Sequence, residues 1–532
     1  MPSARRRLAP LLRNDDRFAA WAATAAIFML ALFLRLWHLG RPHQFEFDET
    51  YYAKDAWSLW HHGYVLGYVN DANDRILAGK LDGLWTSTPS MIVHPEVGKW
   101  LIGLGEHFFG MDPFGWRVAS AVVGSLMVAV MVRLGRRLTG STLLGCVAAL
   151  LLCFDGLQLV LSRLALLDIF QAFFMLCAVS CLVADRDWGR VRLARLVPSG
   201  YSPTAEEWGP VRALLWRPWR LAAGVMFGLS CGTKWSTVYV LAALGIMVWI
   251  WDAGARRALG IRWAGARSLL ADALPAFGYL VVVALVVYVA TWTGWLLHAH
   301  AYEQALSNTQ YGPYWGSYTK HEAHGFFPGL FQSLRSLWHY HHDVYAFHTQ
   351  YLNTATHVYQ SKPEGWLILN RPVGVQADLG IKPGVQGCDA PAGSTCLRQE
   401  LLLGTPALWW GGVLALLYSV YGWVARRDWR FGLAVVGVLA TWLPWIRYDT
   451  RPIFSYYAIM ILPFTVIAIT LCLGRLMGGP DASYTRRMWG TAFAGAFVVL
   501  LVLNFAWFWP IYVGNLISTP DWLDRIWFQR WI

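Results

Sequence analysis

At 532 residues the chain is long enough for several soluble domains, yet 56% of it is apolar, only 14% is charged and 32 residues are Trp. That balance excludes a water-soluble multidomain protein and describes an integral membrane protein rich in interfacial aromatics. A net charge of +12 would suit nucleic acid only on a soluble basic face, and the sequence offers none, so the charge reads as a topology signal.

A bilayer crossing needs roughly 20 apolar residues, with shorter helices tolerated inside a bundle. Eleven segments meet that description: 18–39, 116–135, 141–158, 161–184, 219–235, 236–252, 271–293, 402–424, 431–447, 454–474 and 490–513. The first follows Arg5-Arg6-Arg7 but is long and lacks a small-residue cleavage site, so it reads as a retained helix. The fifth and sixth share one apolar run broken by Gly232-Thr233-Lys234. With the N-terminus inside, the cytosolic segments are 1–17, 133–140, 185–220, 253–270, 425–430 and 475–489. They hold 25 of the 44 basic residues, the asymmetry of the positive-inside rule. The expected organisation is a cytosolic tail 1–17, an all-α membrane module 18–293 with an external loop at 40–115, a large external loop 294–400, and a second membrane module 401–532. Eleven crossings put the C-terminus outside. Both long loops then face outward, and so should the chemistry.

Within the first loop, Phe45-Glu46-Phe47-Asp48-Glu49-Thr50-Tyr51-Tyr52 places an acidic pair at the mouth of a helix bundle, where carboxylates are costly and by default functional. Asp48 falls at the start of a helical stretch running to Trp60. It reads either as an ordinary acidic cap or as a general base for an acceptor hydroxyl. Glu49, about 100° further round, reads as an orienting or packing group. His94-Pro95-Glu96-Val97-Gly98-Lys99 reads as a turn into an amphipathic interfacial helix, offering His94 and Lys99 to a site. Arg117, Arg163, Asp168 and Lys234 lie in or at the outer ends of spans, where a charge needs a partner or an aqueous cavity. Converging cations would suit a phosphate-bearing substrate; alternatively, Arg163 and Asp168 satisfy each other.

In the second loop, His339, His341, His342, His348 and His357 invite a metal reading. Their spacing does not match a closed zinc site, and a hydrogen-bonded interfacial face fits better. No cofactor follows from the pattern, and a divalent cation stays open. Six of the eight cysteines lie in apolar spans as small hydrophobes; Cys388 and Cys396 lie in the external loop, where a disulfide is expected. Arg447-Tyr448-Asp449-Thr450-Arg451-Pro452, between the ninth and tenth spans, is either a phosphate or acceptor contact or a salt-bridged turn.

Taken together, these segments resemble the protein O-mannosyltransferase family, in particular its actinobacterial members. The resemblance rests on Phe47-Asp48-Glu49, His94-Pro95-Glu96-Val97-Gly98-Lys99, Ser162-Arg163-Leu164-Ala165-Leu166-Leu167-Asp168 and Lys234-Trp235. It extends to Leu337-Trp338-His339-Tyr340-His341 and Arg451-Pro452-Ile453-Phe454-Ser455-Tyr456-Tyr457. It implies a GT-C membrane fold that moves mannose from a polyprenyl-phosphate carrier to Ser or Thr of exported proteins at the outer face of the plasma membrane, with inversion. On that resemblance Asp48, with Glu49, inherits the base or acceptor-orienting role. Arg117, Lys234, Arg163, Asp168, His94 and Lys99 serve the donor, and His339, His341, Arg451 and Tyr456 contact the acceptor or loop. Membrane lipids surround such an enzyme, and acceptor chains would arrive beside the Sec translocon. Two departures stand out. Segment 294–400 is too short for the β-trefoil insert of eukaryotic members, and the family's His-Pro-Pro is His94-Pro95-Glu96 here. Two rival readings are a GT-C transferase acting on a glycolipid and a secondary transporter. The transporter reading would need paired interrupted helices in two halves, a pattern absent from the sequence.

Overall fold

The computed structural model describes residues 8, 16–198, 200–307, 315, 323–479 and 481–532; Arg5-Arg6-Arg7 and most of the tail 1–17 lie outside them. Each of the eleven expected apolar segments is helical. Among the described residues, eight helices are long and apolar enough to cross a membrane: Arg17–Leu36 (α1), Pro113–Thr139, Leu167–Leu196, Thr237–Ala258, Ala264–Ala290, Pro406–Val424, Trp429–Arg447 and Tyr484–Tyr512. Thr142–Cys153 and Leu462–Met477 are apolar but shorter, as is Pro218–Cys231.

Local sequence sets several boundaries. The Asp112 side chain accepts from Gly115 N at 2.8 Å with Pro113 at the first helical position, and Gly140 closes the same helix at φ 72°. An acidic cap and a left-handed glycine are the expected ends of a helix. Asp155 caps Gly156–Leu161 through Gln158 N at 3.0 Å, and its other oxygen accepts from Thr405 N at 3.0 Å and Trp409 Nε1 at 2.8 Å. One buried carboxylate therefore ties the N-terminal helices to the C-terminal ones. In Ala264–Ala290 the chain makes two π-helical turns, Leu269–Ala273 and Gly278–Val282, on either side of Pro275. Such widening accommodates a residue that lacks an N–H.

Burial separates inner from outer helices. The apolar windows of Pro113–Thr139 and Leu167–Leu196 are 61% and 72% buried, against 17–22% for Arg17–Leu36, Ala264–Ala290 and Tyr484–Tyr512. Helices of similar hydropathy but such different burial form a protein core and a lipid-facing rim. Close crossings use glycine: a Cβ at Gly224 would lie 1.9 Å from the Tyr279 carbonyl oxygen.

The two regions read as loops are largely structured. The first holds the helix Glu49–His62 (α2), a short antiparallel pair β1 (Leu66–Tyr68) and β2 (Trp85–Pro89), and the amphipathic helix Val97–Phe109. The second differs more from expectation: it contains helices Thr293–Ser307 and Phe326–Thr349 and an antiparallel hairpin, β3 (Val373–Ile381) and β4 (Cys396–Leu402), extended by β5 (Ile517–Ser518). Ser333, Ser336, Leu337, Tyr340 and Val344 recur at helical spacing on the buried face of Phe326–Thr349. They pack with Trp292, Trp295 and Tyr302. Tyr302, Trp315 and Tyr340, aromatics of a segment read as a loop, belong to this core. Cys388 and Cys396 form a disulfide closing the hairpin end.

Candidate active site

Between Pro218–Cys231 and Thr237–Ala258 the backbone breaks at Gly232-Thr233-Lys234, and Gln171 holds the break open. Its Nε2 donates to the Lys234 carbonyl (3.0 Å), Ser236 Oγ (2.8 Å) and Thr237 Oγ1 (2.9 Å). Lys234 Nζ is thereby aimed at Asp168 Oδ2, 2.6 Å away in the first turn of Leu167–Leu196, and lies 5.2 Å over the ring of Tyr457. These groups line a cavity of about 310 Å³ together with His94, His348 and Arg451. Arg451 Nη1 donates to His348 Nδ1 at 2.6 Å, which leaves the His348 proton on Nε2. Burial and the cations Arg451 and Lys234 hold His348 down at about 4, and burial with Lys234 holds His94 well below the usual histidine range. Both imidazoles are neutral, so two fixed cations and one carboxylate set the cavity's charge. That is an anion site with aromatic walls: Trp235, Tyr239, Tyr345, Trp445 and Tyr448 complete it, and Tyr239 and Tyr448 share a hydroxyl–hydroxyl hydrogen bond of 3.1 Å.

Asp48 adjoins this cavity. It stands at the N-cap of α2, but its side chain makes no capping bond; the ordinary cap reading does not hold. Tyr52 hydrogen-bonds it, Lys234 and Asp168 are the charges acting on it most strongly, and burial raises it to about 6. The residue before it, Phe47, has φ 49°, a conformation costly for a residue with a Cβ. Aromatic edges clamp it there, with Phe454, His357 and Tyr456 at 5.6–5.9 Å. Backbone strain next to a carboxylate poised near neutrality is a functional signature.

The remaining expected residues divide. Lys234, Asp168, His94 and Arg451 come together at the cavity. Arg117, Arg163 and Lys99, expected at a donor phosphate, are engaged elsewhere. Arg117 Nε and Nη2 bind both oxygens of Glu49 (2.8 and 2.7 Å), and its Nη groups also bond the carbonyls of Leu39, Pro42 and Gln44. Arg163 bonds the carbonyls of Arg35 and Trp37 rather than Asp168. Lys99 pairs with Asp55 at 2.9 Å. Glu49 is fully buried and also accepts from Ala165 N and Glu46 N: it positions the Asp48 loop from behind, which corrects its grouping with Asp48 as a catalytic carboxylate. Glu96 is likewise a clamp, accepting from Gly294 N at 3.0 Å, with burial raising it to about 7.

His341 stacks on Trp235 with ring centres 5.3 Å apart and bonds Tyr288, so it backs the cavity wall without lining it. His339 sits beside Trp315 and 3.6 Å from Asp343, away from the cavity. Tyr456 is buried under Phe47. Among the described residues, no group of three or more His, Cys, Asp or Glu is arranged to hold a metal. Sequence reasoning missed Gln171, Tyr52 and Tyr457, and it weighed His348 only within the histidine group of the second loop, as an interfacial hydrogen-bonded face or a metal ligand. The signal for Tyr457 was its place after Arg451 in a polar–aromatic turn; Gln171 gave none, being one polar residue on a buried helix.

A multi-pass helical membrane protein with an acidic loop over a cationic cavity has the organisation of a GT-C glycosyltransferase, and the overall chain trace agrees. It superposes on the Saccharomyces cerevisiae protein O-mannosyltransferase Pmt1–Pmt2 complex bound to the sugar donor with a TM-score of 0.66 at 13% identity, covering 97% of this chain and 93% of that one. Residues 25–293 match the family model of dolichyl-phosphate-mannose–protein mannosyltransferases. Residues 333–531 match that of the C-terminal four-transmembrane region of protein O-mannosyltransferases. The polyprenol-phosphate-mannose–protein mannosyltransferase of Mycobacterium tuberculosis is 36% identical over 529 residues, covering 97% of this chain and 92% of its own; that of Corynebacterium glutamicum is 30% identical over 514 residues, covering 96% and 93%. The chain belongs to the protein O-mannosyltransferase family and is a glycosyltransferase.

Proposed function

We propose that this enzyme transfers mannose from polyprenyl-phosphate-mannose to Ser or Thr hydroxyls of exported proteins at the outer face of the plasma membrane, beside the Sec translocon, with inversion at the anomeric carbon. One observation carries the reading: Asp48, raised to about 6, lies beside a cavity whose fixed cations are Lys234 and Arg451. In the proposed step the acceptor oxygen attacks the anomeric carbon from the face opposite the phosphate. Asp48 takes the hydroxyl proton as the new bond forms. The bond from the anomeric carbon to the phosphate oxygen breaks, and the polyprenyl phosphate leaves with one more negative charge. Lys234 and Arg451 meet that charge in a site already organised for it, while Asp168 keeps the Lys234 ammonium in place. A single displacement inverts the centre.

The membrane setting supports a lipid-linked donor, because the cavity wall includes Val238 and Pro444 of two membrane helices. A retained Asp48 carboxylate near neutrality supports a weakly acidic acceptor hydroxyl. The test is mannose transfer from polyprenyl-phosphate-mannose to a Thr/Ala/Pro-rich peptide, comparing the wild type with Asp48→Asn at matched expression. Collapse of transfer with donor binding preserved is the expected result. Equal transfer by both forms removes Asp48 as the base, and transfer to a lipid but not to peptide overturns the protein acceptor.

A further inference from the structure

A second cleft lies far along the chain from these residues. Pro406–Val424, Leu462–Met477 and Tyr484–Tyr512 enclose about 500 Å³ between them. Its lining is mostly apolar and includes Gly411, Ile469 and Phe497, while Arg426, Arg475 and Arg486 come from one end of each of the three helices: just past the first, in the last turn of the second and in the first turn of the third. Leu414 on its wall is 70% exposed, so the cleft opens sideways, where lipid would be. The carboxylate that pairs with this end is Asp428, already shared between Arg430 (2.6 Å) and Arg475 (3.0 Å). Arg486 donates to the Arg475 carbonyl and Arg426 lies against Tyr421; neither has a carboxylate partner among the contacts the structure gives. The end therefore carries net positive charge.

Length supports the same occupant. From Gly411 to Arg426 is 15 residues, about 22 Å at 1.5 Å per residue, comparable with one leaflet of a hydrocarbon core about 30 Å thick plus its headgroup layer. Basic pockets between helices at the membrane edge hold anionic headgroups. The three arginines also fall in the two connections that the positive-inside rule assigns to the cytosol.

We propose that this cleft is a binding site for an anionic glycerophospholipid, its phosphate on Arg426, Arg475 and Arg486 and one acyl chain running past Leu473 towards Gly411 and Phe497. The site is separate from the candidate active site and takes its lipid from the opposite leaflet.

The test uses the full chain in a neutral detergent, titrated with phosphatidylglycerol or phosphatidylcholine of identical acyl chains and followed by native mass spectrometry and thermal unfolding. Phosphatidylglycerol should be retained and raise the unfolding midpoint; phosphatidylcholine should do neither. Arg426→Gln with Arg486→Gln should weaken phosphatidylglycerol about thirty-fold, two cations near the headgroup accounting for that factor. Arg475 is left in place because it holds Asp428. Gly411→Leu should also weaken binding without removing a charge, because even a Cβ there lies 3.0 Å from Phe497. Arg487→Gln, a neighbouring cation that does not line the cleft, should leave binding unchanged, and a monodisperse gel-filtration peak checks the fold of each variant. Equal binding of both lipids, equal stabilisation by inorganic phosphate, equal loss in Arg487→Gln, or a dimer that Gly411→Leu dissociates would each overturn the assignment.

Discussion

Arg117→Met is the perturbation that most directly tests how the Asp48 loop is held. Arg117 is 1% exposed and its guanidinium makes two charge-assisted bonds to Glu49, three bonds to carbonyls of the chain entering the loop, and a 3.4 Å ion pair with Glu46. Removing one partner of such a buried pair leaves an uncompensated carboxylate and costs about 3–5 kcal/mol, far above the 0–1 kcal/mol of a surface pair. The loop carbonyls of Leu39, Pro42 and Gln44 also lose their donor, adding about 1 kcal/mol or more if water cannot reach them. Equilibrium unfolding in mixed micelles should therefore show a loss of about 4 kcal/mol. Because Glu49 packs directly behind Asp48, transfer activity should fall with it. The double variant Glu49→Gln with Arg117→Met removes the stranded charge and should recover more than half of the stability. A single variant that costs less than about 1 kcal/mol, or a double variant no better than the single, would refute the idea that this pair clamps the loop.

Transfer should rise with pH through about 6 and level off above 7, because burial holds Asp48 at that value and the base must be ionised; a rate flat from pH 5 to 8 would contradict its role. The same burial has a stability consequence. A carboxylate raised on folding is stabilised only when protonated, so its unfavourable contribution appears as pH rises above its unfolded value near 3.9 and is complete above 6. Asp48→Asn should then unfold about 2–3 kcal/mol later than the wild type at pH 7.5, with the gap closing near pH 4. Reducing Cys388–Cys396, separated by 8 residues, should cost the hairpin about 2–3 kcal/mol by loop entropy and make segment 382–396 more sensitive to protease, while leaving transfer largely intact. Gly224→Ala should impair folding more than its size suggests, because the new Cβ would meet the Tyr279 backbone oxygen at 1.9 Å and neither helix can yield without losing its neighbours. Membrane expression at wild-type level would show that this crossing is looser.

Legibility followed the physics of each signal. Hydropathy over 20 residues is local, so all eleven apolar helices were readable, including the break at Gly232-Thr233-Lys234. A carboxylate or lysine at a membrane edge is expensive wherever it lies, so Asp48, Asp168 and Lys234 stood out before any contact was known. Aromatic richness misled between 294 and 400. Trp, Tyr and His at an interface look like loop composition until their helical spacing is found packed against Trp292 and Trp295.

The charged residues of the first half show the limit most clearly. Of the cations near span ends, Lys234 stood out by the helix break it sits in, but nothing along the chain separated it from Arg117 as a donor-phosphate contact. The partners that decide their roles are distant in sequence: Glu49 is 68 residues from Arg117, Asp168 is 66 from Lys234, and His348 is 103 from Arg451. The sequence by itself determined that this protein lives in a membrane and where its apolar helices fall, and it singled out the acidic loop as the costly feature. These follow from transfer free energies that each residue bears alone. Which cation faces the cavity and which is locked to a carboxylate behind it was decided only by tertiary structure, because a charge's role depends on the partner that folding brings to it.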